Sequence, residues 1–195
     1  MAISIEDIKK LRAQTGAGMM SAKEALEASN GDIDKAVIIL REKGEATAAK
    51  KSDREARSGV IDSYVHSGRI GVLVEVNCET DFVARTEDFK AFVRDVCMHI
   101  AAANPQYLDP QSVPSAIIET ERGIYRKEVE GKPAAILEKI VEGKLAKFYE
   151  QVCLVNQPFV KDLDVSIGKL TTDLVAKLGE NIVIRRYVRI ELGGV

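Results

Sequence analysis

Apolar residues fall at helical spacing over the first forty or so positions, switch to strict alternation after residue 58, and return to helical spacing beyond residue 86. Ile5, Ile8 and Leu11 form one stripe behind Ser4, a residue suited to capping a helix start, and the loop Thr15-Gly16-Ala17-Gly18 ends that helix. Ser21-Ala22-Lys23-Glu24 has capping-box spacing, in which the hydroxyl and the carboxylate satisfy each other's free backbone N–H groups. It predicts the start of a second helix, with Ala22, Ala25 and Leu26 facing inward. Asn30-Gly31 closes that helix, Asp32 caps a third carrying Ile33, Ala36, Val37 and Leu40, and Gly44 stops it. Residues 1–44 therefore read as a small three-helix bundle with a thin core. Residues 45–57 are rich in Ala, Lys and Glu without an apolar stripe, and read as a solvated linker, helical in part.

Residues 58–195 read as a second domain. Residues 60–65 favour a strand, His66-Ser67-Gly68-Arg69 a turn, and residues 70–78 alternate strictly, so that Ile70, Val72, Val74, Val76 and Cys78 share one buried face. A long helix follows from about residue 87 to residue 103, its stripe formed by Phe89, Phe92, Val93, Val96, Cys97 and Ile100. A loop spans residues 109–114, a helix residues 117–129, and Gly131-Lys132-Pro133 a break. A short helix over residues 134–141 and another striped by Leu145, Phe148, Tyr149 and Val152 come next. Ile167, Leu170, Leu174 and Leu178 mark a helix ending at Gly179. The last strand spans residues 182–192, with Ile182, Ile184, Val188, Ile190 and Leu192 on one face and Arg186 breaking the pattern. Two strands, several helices and a third strand make an α+β domain, a small three-stranded antiparallel sheet with helices on one face. The outer face is expected to carry Leu73, Glu75, Asn77, Arg185, Tyr187 and Arg189, open to water or to a second subunit.

Composition narrows the classes. The 195 residues, 46% hydrophobic and 30% charged, suit a globular fold. A net charge of -2 gives no general reason to expect nucleic acid or an anionic membrane, and no apolar run reaches bilayer length. The N-terminal stretch lacks the basic-then-apolar order of a secretory signal. Three separated cysteines, Cys78, Cys97 and Cys153, with no Cys-x-x-Cys unit, point to buried, reduced thiols and a cytoplasmic setting.

Site chemistry of the usual kinds is missing from the sequence. There is no phosphate-binding Gly-x-x-x-x-Gly-Lys-Ser/Thr loop, and Gly16-x-Gly18 follows a helix where a dinucleotide site would follow a strand. The two histidines, His66 and His99, belong to no spaced metal cluster, and no motif positions a nucleophile. No metal, no cofactor and no covalent catalysis are expected. The feature that folding does not demand is Phe82, in Glu79-Thr80-Asp81-Phe82-Val83-Ala84-Arg85, at the junction between a strand and a helix that already has a full apolar face. Thr80 or Asp81 serves as a helix cap there, whereas Phe82 either covers the edge of the core or enters another protein. Two basic groups, Lys50–Arg57 and Arg185–Arg189, leave RNA binding as a further alternative, and the small bundle leaves capture of a peptide.

The residues resemble a known family over nearly the whole chain, that of bacterial translation elongation factor Ts in a short, single-core form. The matching motifs are Leu11-Arg12 with Thr15-Gly16-Ala17-Gly18-Met19-Met20, Lys23 and Ala25-Leu26; Asn30-Gly31-Asp32; Leu40-Arg41 with Lys43-Gly44; Gly68 to Glu75; Asn77 to Ala84; Gln157-Pro158-Phe159-Val160; and Arg185 to Arg189. The resemblance implies a ubiquitin-associated-like bundle followed by an α+β core. It also implies guanine nucleotide exchange on the GTPase elongation factor Tu, bound in its GDP and nucleotide-free forms, with no direct binding of nucleotide, nucleic acid or membrane. By the same resemblance Arg12, Met19, Met20 and Lys23 contact the partner's nucleotide-binding domain. Asp81 and Phe82, flanked by Thr80 and Val83, intrude beside its magnesium and phosphates. Of Met19 and Met20, one is expected in the bundle core and one outside, where a methionine adapts to an apolar groove. Longer members carry an enlarged or duplicated core, so a homodimer formed through the sheet is expected here.

Overall fold

In the computed structural model the described residues are 3–129, 131 and 133–194, with the backbone alone for residues 134 and 135. Ser4 accepts the Asp7 backbone N–H at 3.0 Å and so opens α1 (Ile5–Thr15), which ends where Gly16 takes a left-handed conformation at φ 68°. α2 (Met19–Ala28) starts earlier than the capping-box reading: Gly18 is its N-cap and Ser21 lies inside the helix. Glycine needs no side chain to serve at that position, and three more residues, Met19, Met20 and Ser21, become helical than a Ser21 cap allows. Asp32 accepts the Lys35 N–H at 3.1 Å and opens α3 (Ile33–Lys51). Gly44 does not stop this helix; it is buried, and a Cβ there would lie 3.3 Å from the Ala176 side chain. The glycine thus marks close packing, and the helix covers half of the stretch expected as linker. Ile8, Leu11, Ala22, Ala25, Leu26 and Ala36 form the bundle's core.

Three strands, β1 (Ser58–His66), β2 (Ile70–Cys78) and β5 (Val183–Glu191), form an antiparallel sheet in the order β1-β2-β5. Between β2 and β5 come α4 (Asp81–Ala84), α5 (Glu87–Ala103), α6 (Ser115–Glu128) and α7 (Ala134–Val152). The short pair β3 (Pro158–Phe159) and β4 (Asp162–Ser166) and the helix α8 (Ile167–Leu178) follow. The architecture is α+β, as the order of patterns predicts. Residues 134–152 form one helix where two were expected, because the stripe through Leu137, Val141 and Leu145 outweighs the helix cost of Gly143, about 1 kcal/mol. The expected break before it includes Lys132, which lies outside the described residues.

The chain falls into two compact units. One comprises Met1–Ile61, Glu75–Val93 and Leu170–Arg185; the other comprises Asp62–Val74, Arg94–Lys169 and Arg186–Val195. In the first, Val76, Cys78, Ala84, Phe89, Val93, Leu174, Val175, Ile182 and Ile184 are buried. In the second, Val72, Val74, Val96, Cys97, Ile100, Cys153, Leu154 and Ile167 are buried.

The outer face of β5 differs from the expected pattern. Ile184 is buried, Arg185 and Arg186 are exposed in succession, and the alternation then slips by one. Tyr187 donates its hydroxyl to the Pro105 carbonyl at 2.9 Å, and Arg189 Nε donates to the Ala101 carbonyl at 3.3 Å, both at the end of α5. Val188, Ile190 and Leu192 are exposed instead, with Leu73 of β2 and Val65 of β1. Asn77 is buried, its amide donating to the Ser58 carbonyl and its oxygen accepting from Arg185 Nε at 3.1 Å. Asn77, Tyr187 and Arg189 therefore do not belong to the open face.

Candidate partner-binding site

The junction after β2 turns sharply because Thr80 caps α4, its Oγ1 accepting the Val83 N–H at 3.4 Å. A cap needs extended backbone, and Thr80 has φ -127° and ψ 157°; the chain reverses into a single helical turn directly behind it. That turn has one inward anchor, Ala84, which is buried. Phe82 points the other way and is 78% exposed. Phe82 therefore does not cover the edge of the core. Val83 is half-buried beside it.

Asp81 is exposed and pairs with Arg85 one turn on, with Nη2 to Oδ2 at 2.6 Å. Both side chains are more than half exposed, so the pair contributes at most about 1 kcal/mol and is readily exchanged for another partner. The tip thus offers an aromatic ring and a carboxylate held only by a surface ion pair.

The bundle places its candidates on a second surface within the same compact unit. Met19 and Met20 occupy the first turn of α2, and both are exposed, at 48% and 66%. Neither fills the core, which Ala22, Ala25 and Leu26 of the same helix already complete. Arg12 lies on the exposed face of α1, where its Nε donates to the Ala17 carbonyl at 3.1 Å and thereby shapes the loop leading to Met19. Lys23 is exposed and lies 3.7 Å from Glu27. The structure thus brings Arg12, Met19, Met20 and Lys23 to one end of the bundle, and Thr80, Asp81, Phe82 and Val83 to the α4 turn.

Groups that sequence reading passed over hold the α4 turn. Glu180 and Asn181, in the turn between α8 and β5, bind Thr80 and Glu79 across the fold. A polar pair beside Gly179 carries no periodic signal, and its partners lie about a hundred residues away in sequence.

The thiols of Cys78, Cys97 and Cys153 are free and buried, and burial pushes them up to about 11, 12 and 11. They are un-ionised at neutral pH and unsuited to nucleophilic attack. His99 is fully buried, accepting the Val160 N–H at Nδ1 (3.4 Å) and donating from Nε2 to Gln157 Oε1 (3.0 Å). Burial holds its pKa below 6.5, so the ring is neutral. Among the described residues no group of three or more His, Cys, Asp or Glu gathers as metal ligands, and no helix is long and apolar enough to cross a membrane.

The sequence profile described as Elongation factor TS matches residues 4–173. The chain is 54% identical to elongation factor Ts of Thermodesulfovibrio yellowstonii, over 99% of this chain and 98% of that protein. It is 56% identical to elongation factor Ts of Carboxydothermus hydrogenoformans, over 98% of this chain and 89% of that protein. It is 53% identical to elongation factor Ts of Syntrophus aciditrophicus, over 99% and 98%. A profile match over most of the chain and more than half identity nearly end to end show that the chain belongs to the elongation factor Ts family.

Proposed function

We propose that this protein is a guanine nucleotide exchange factor. It binds the GTPase elongation factor Tu in its GDP and nucleotide-free forms and promotes GDP release during translation elongation in the cytoplasm, without covalent chemistry of its own. Membership of the family supports the activity. The observation that carries the mechanism is Phe82, 78% exposed at a capped turn that folding does not require it to occupy.

In this reading the bundle docks first, Met19 and Met20 entering an apolar groove of the partner's nucleotide-binding domain while Arg12 and Lys23 supply charge at its edge. Phe82 then wedges between packed partner elements. Asp81 leaves Arg85 and brings negative charge toward the partner's magnesium and phosphates, with Thr80 and Val83 lining the flanks. Metal and phosphates are bound as one unit, so disturbing the ion loosens the nucleotide. Burying a phenyl ring is worth about 1.5–3 kcal/mol, enough for a ten- to hundredfold change in nucleotide affinity. The coupling is reciprocal: GDP weakens binding of this protein by the factor that this protein weakens GDP. Excess GTP then sets the direction.

Two chains associate through the open sheet face, where Val65, Leu73, Val188, Ile190 and Leu192 are exposed. A face of that composition favours burial against a second copy. Release of a fluorescent GDP from elongation factor Tu, followed with and without this protein, tests the activity; no acceleration at micromolar concentration contradicts it.

A further inference from the structure

Glu180 directs both carboxylate oxygens to one residue 100 positions away. Oε2 accepts the Thr80 backbone N–H at 3.0 Å, and Oε1 accepts the Thr80 hydroxyl at 2.6 Å. Charge-assisted, two-point bonds of this kind fix orientation as well as distance. The other polar atoms of Thr80 are engaged too. Its Oγ1 accepts the Val83 N–H, and its carbonyl accepts the Cys78 thiol at 3.1 Å and the Ala84 N–H at 3.3 Å. Thr80 is thus fixed at every polar atom, immediately before two exposed residues.

The neighbouring residues extend the clamp. Asn181 donates its backbone N–H to Glu79 Oε1 at 2.7 Å, and Arg54 Nη1 lies 3.6 Å from Glu79 Oε2. The Asn181 amide, buried at 6% exposure, donates to the carbonyls of Ser52 and Arg54. Lys51, the last residue of α3, donates to the Gly179 carbonyl. The turn 179–181 therefore grips the α4 turn on one side and the end of the bundle's longest helix on the other, all within one compact unit.

Stability alone does not call for this. Thr80 is exposed and Glu180 half-exposed, and hydrogen bonds of exposed charged groups add little to folding. Their effect is geometric. A wedge that swings freely loses affinity to the cost of ordering it on contact, whereas one held in place does not.

We propose that Glu180 is a positioning residue for exchange: it holds Thr80 so that Asp81 and Phe82 are presented in a single orientation, tied through Asn181 to the helix that carries the bundle. This rests on the exchange reading above. It predicts that Glu180→Ala lowers the kcat/KM of GDP release about tenfold. Glu180→Gln recovers most of the rate, since its amide oxygen still takes one Thr80 bond and its amide N–H donates to Oγ1. The double variant Phe82→Ala/Glu180→Ala matches Phe82→Ala alone, because there is no ring left to position.

The test measures these four variants by stopped-flow fluorescent-GDP release, with thermal melting of each. Wild-type exchange by Glu180→Ala overturns the proposal, as does an equal loss from adding Glu180→Ala to Phe82→Ala. Should Glu180→Ala fold poorly, Glu180→Asp keeps the charge but withdraws it by one methylene; the tenfold loss supports the clamp, and a wild-type rate overturns it. Amide hydrogen exchange at Thr80 to Val83 reads the clamp without the partner. Exchange at least tenfold faster in Glu180→Ala supports it, and unchanged exchange overturns it even if the wild type fails to release GDP, an outcome that sinks the exchange reading instead.

Discussion

At the scale of single residues, exposure separates groups that serve the fold from groups that serve contact. Phe89 and Phe92 are buried, whereas Phe82, seven and ten positions earlier in the same stretch, is 78% exposed. The sequence made Phe82 legible because the helix behind it needs no further apolar residue. It could not place Met19 and Met20, since the helix start that orients them depends on Gly18 taking the cap that Ser21 was expected to hold. Glu180 was illegible for a different reason: its partner is far along the chain. His99 gives a prediction at this scale. Its pKa is lowered in the folded chain from 6.5, so below that pH the unfolded chain binds the proton more readily than the folded one. Stability from this residue is complete above 6.5 and falls as the pH drops toward the folded value. Melting temperature is expected to decline between about pH 7 and pH 5 in the wild type, and His99→Gln to flatten that slope. An unchanged slope in the variant contradicts the assignment.

Elements are specified by competing local signals, and the strongest continuous one prevails. Ser4 and Asp32 act as the caps their positions suggest. Gly44, read as a helix stop, lies inside α3 where close packing against Ala176 favours a residue without a side chain, and residues 134–152, read as two helices, form one because an apolar stripe runs through them. The pair β3 and β4 escaped notice, since two residues beginning with Pro158 carry no alternation to detect. In β5 the slip at Arg185 and Arg186 exchanges faces, so an unbroken alternation predicted the wrong exposed side. Gly59 shows an element depending on one absent atom. Its φ is +148°, and a Cβ there would sit 2.2 Å from the Val76 carbonyl oxygen. Gly59→Ala is expected to cost about 3 kcal/mol or more by forcing β1 away from β2, measured as a lowered urea midpoint with little change in slope. A midpoint within experimental error of wild type contradicts that packing.

At the scale of the whole molecule, the α+β order was legible from the switch between the two hydrophobic periods, and the family from several motifs in sequence. Association through the open sheet face, proposed above, is tested at this scale. Leu73→Asp or Ile190→Asp, each adding a charge where apolar groups are exposed, is expected to turn a homodimer into a monomer by light scattering at micromolar concentration while leaving the fold intact. A monomeric wild type contradicts the dimer. The central claim is that an exposed phenyl ring on a capped turn drives nucleotide release. Its most direct test is the rate of fluorescent-GDP release from elongation factor Tu with wild type and with Phe82→Ala. Because Phe82 is largely outside the core, the variant is expected to melt as the wild type does, and to release GDP at least about tenfold more slowly. A Phe82→Ala protein that accelerates release as fast as the wild type contradicts the account.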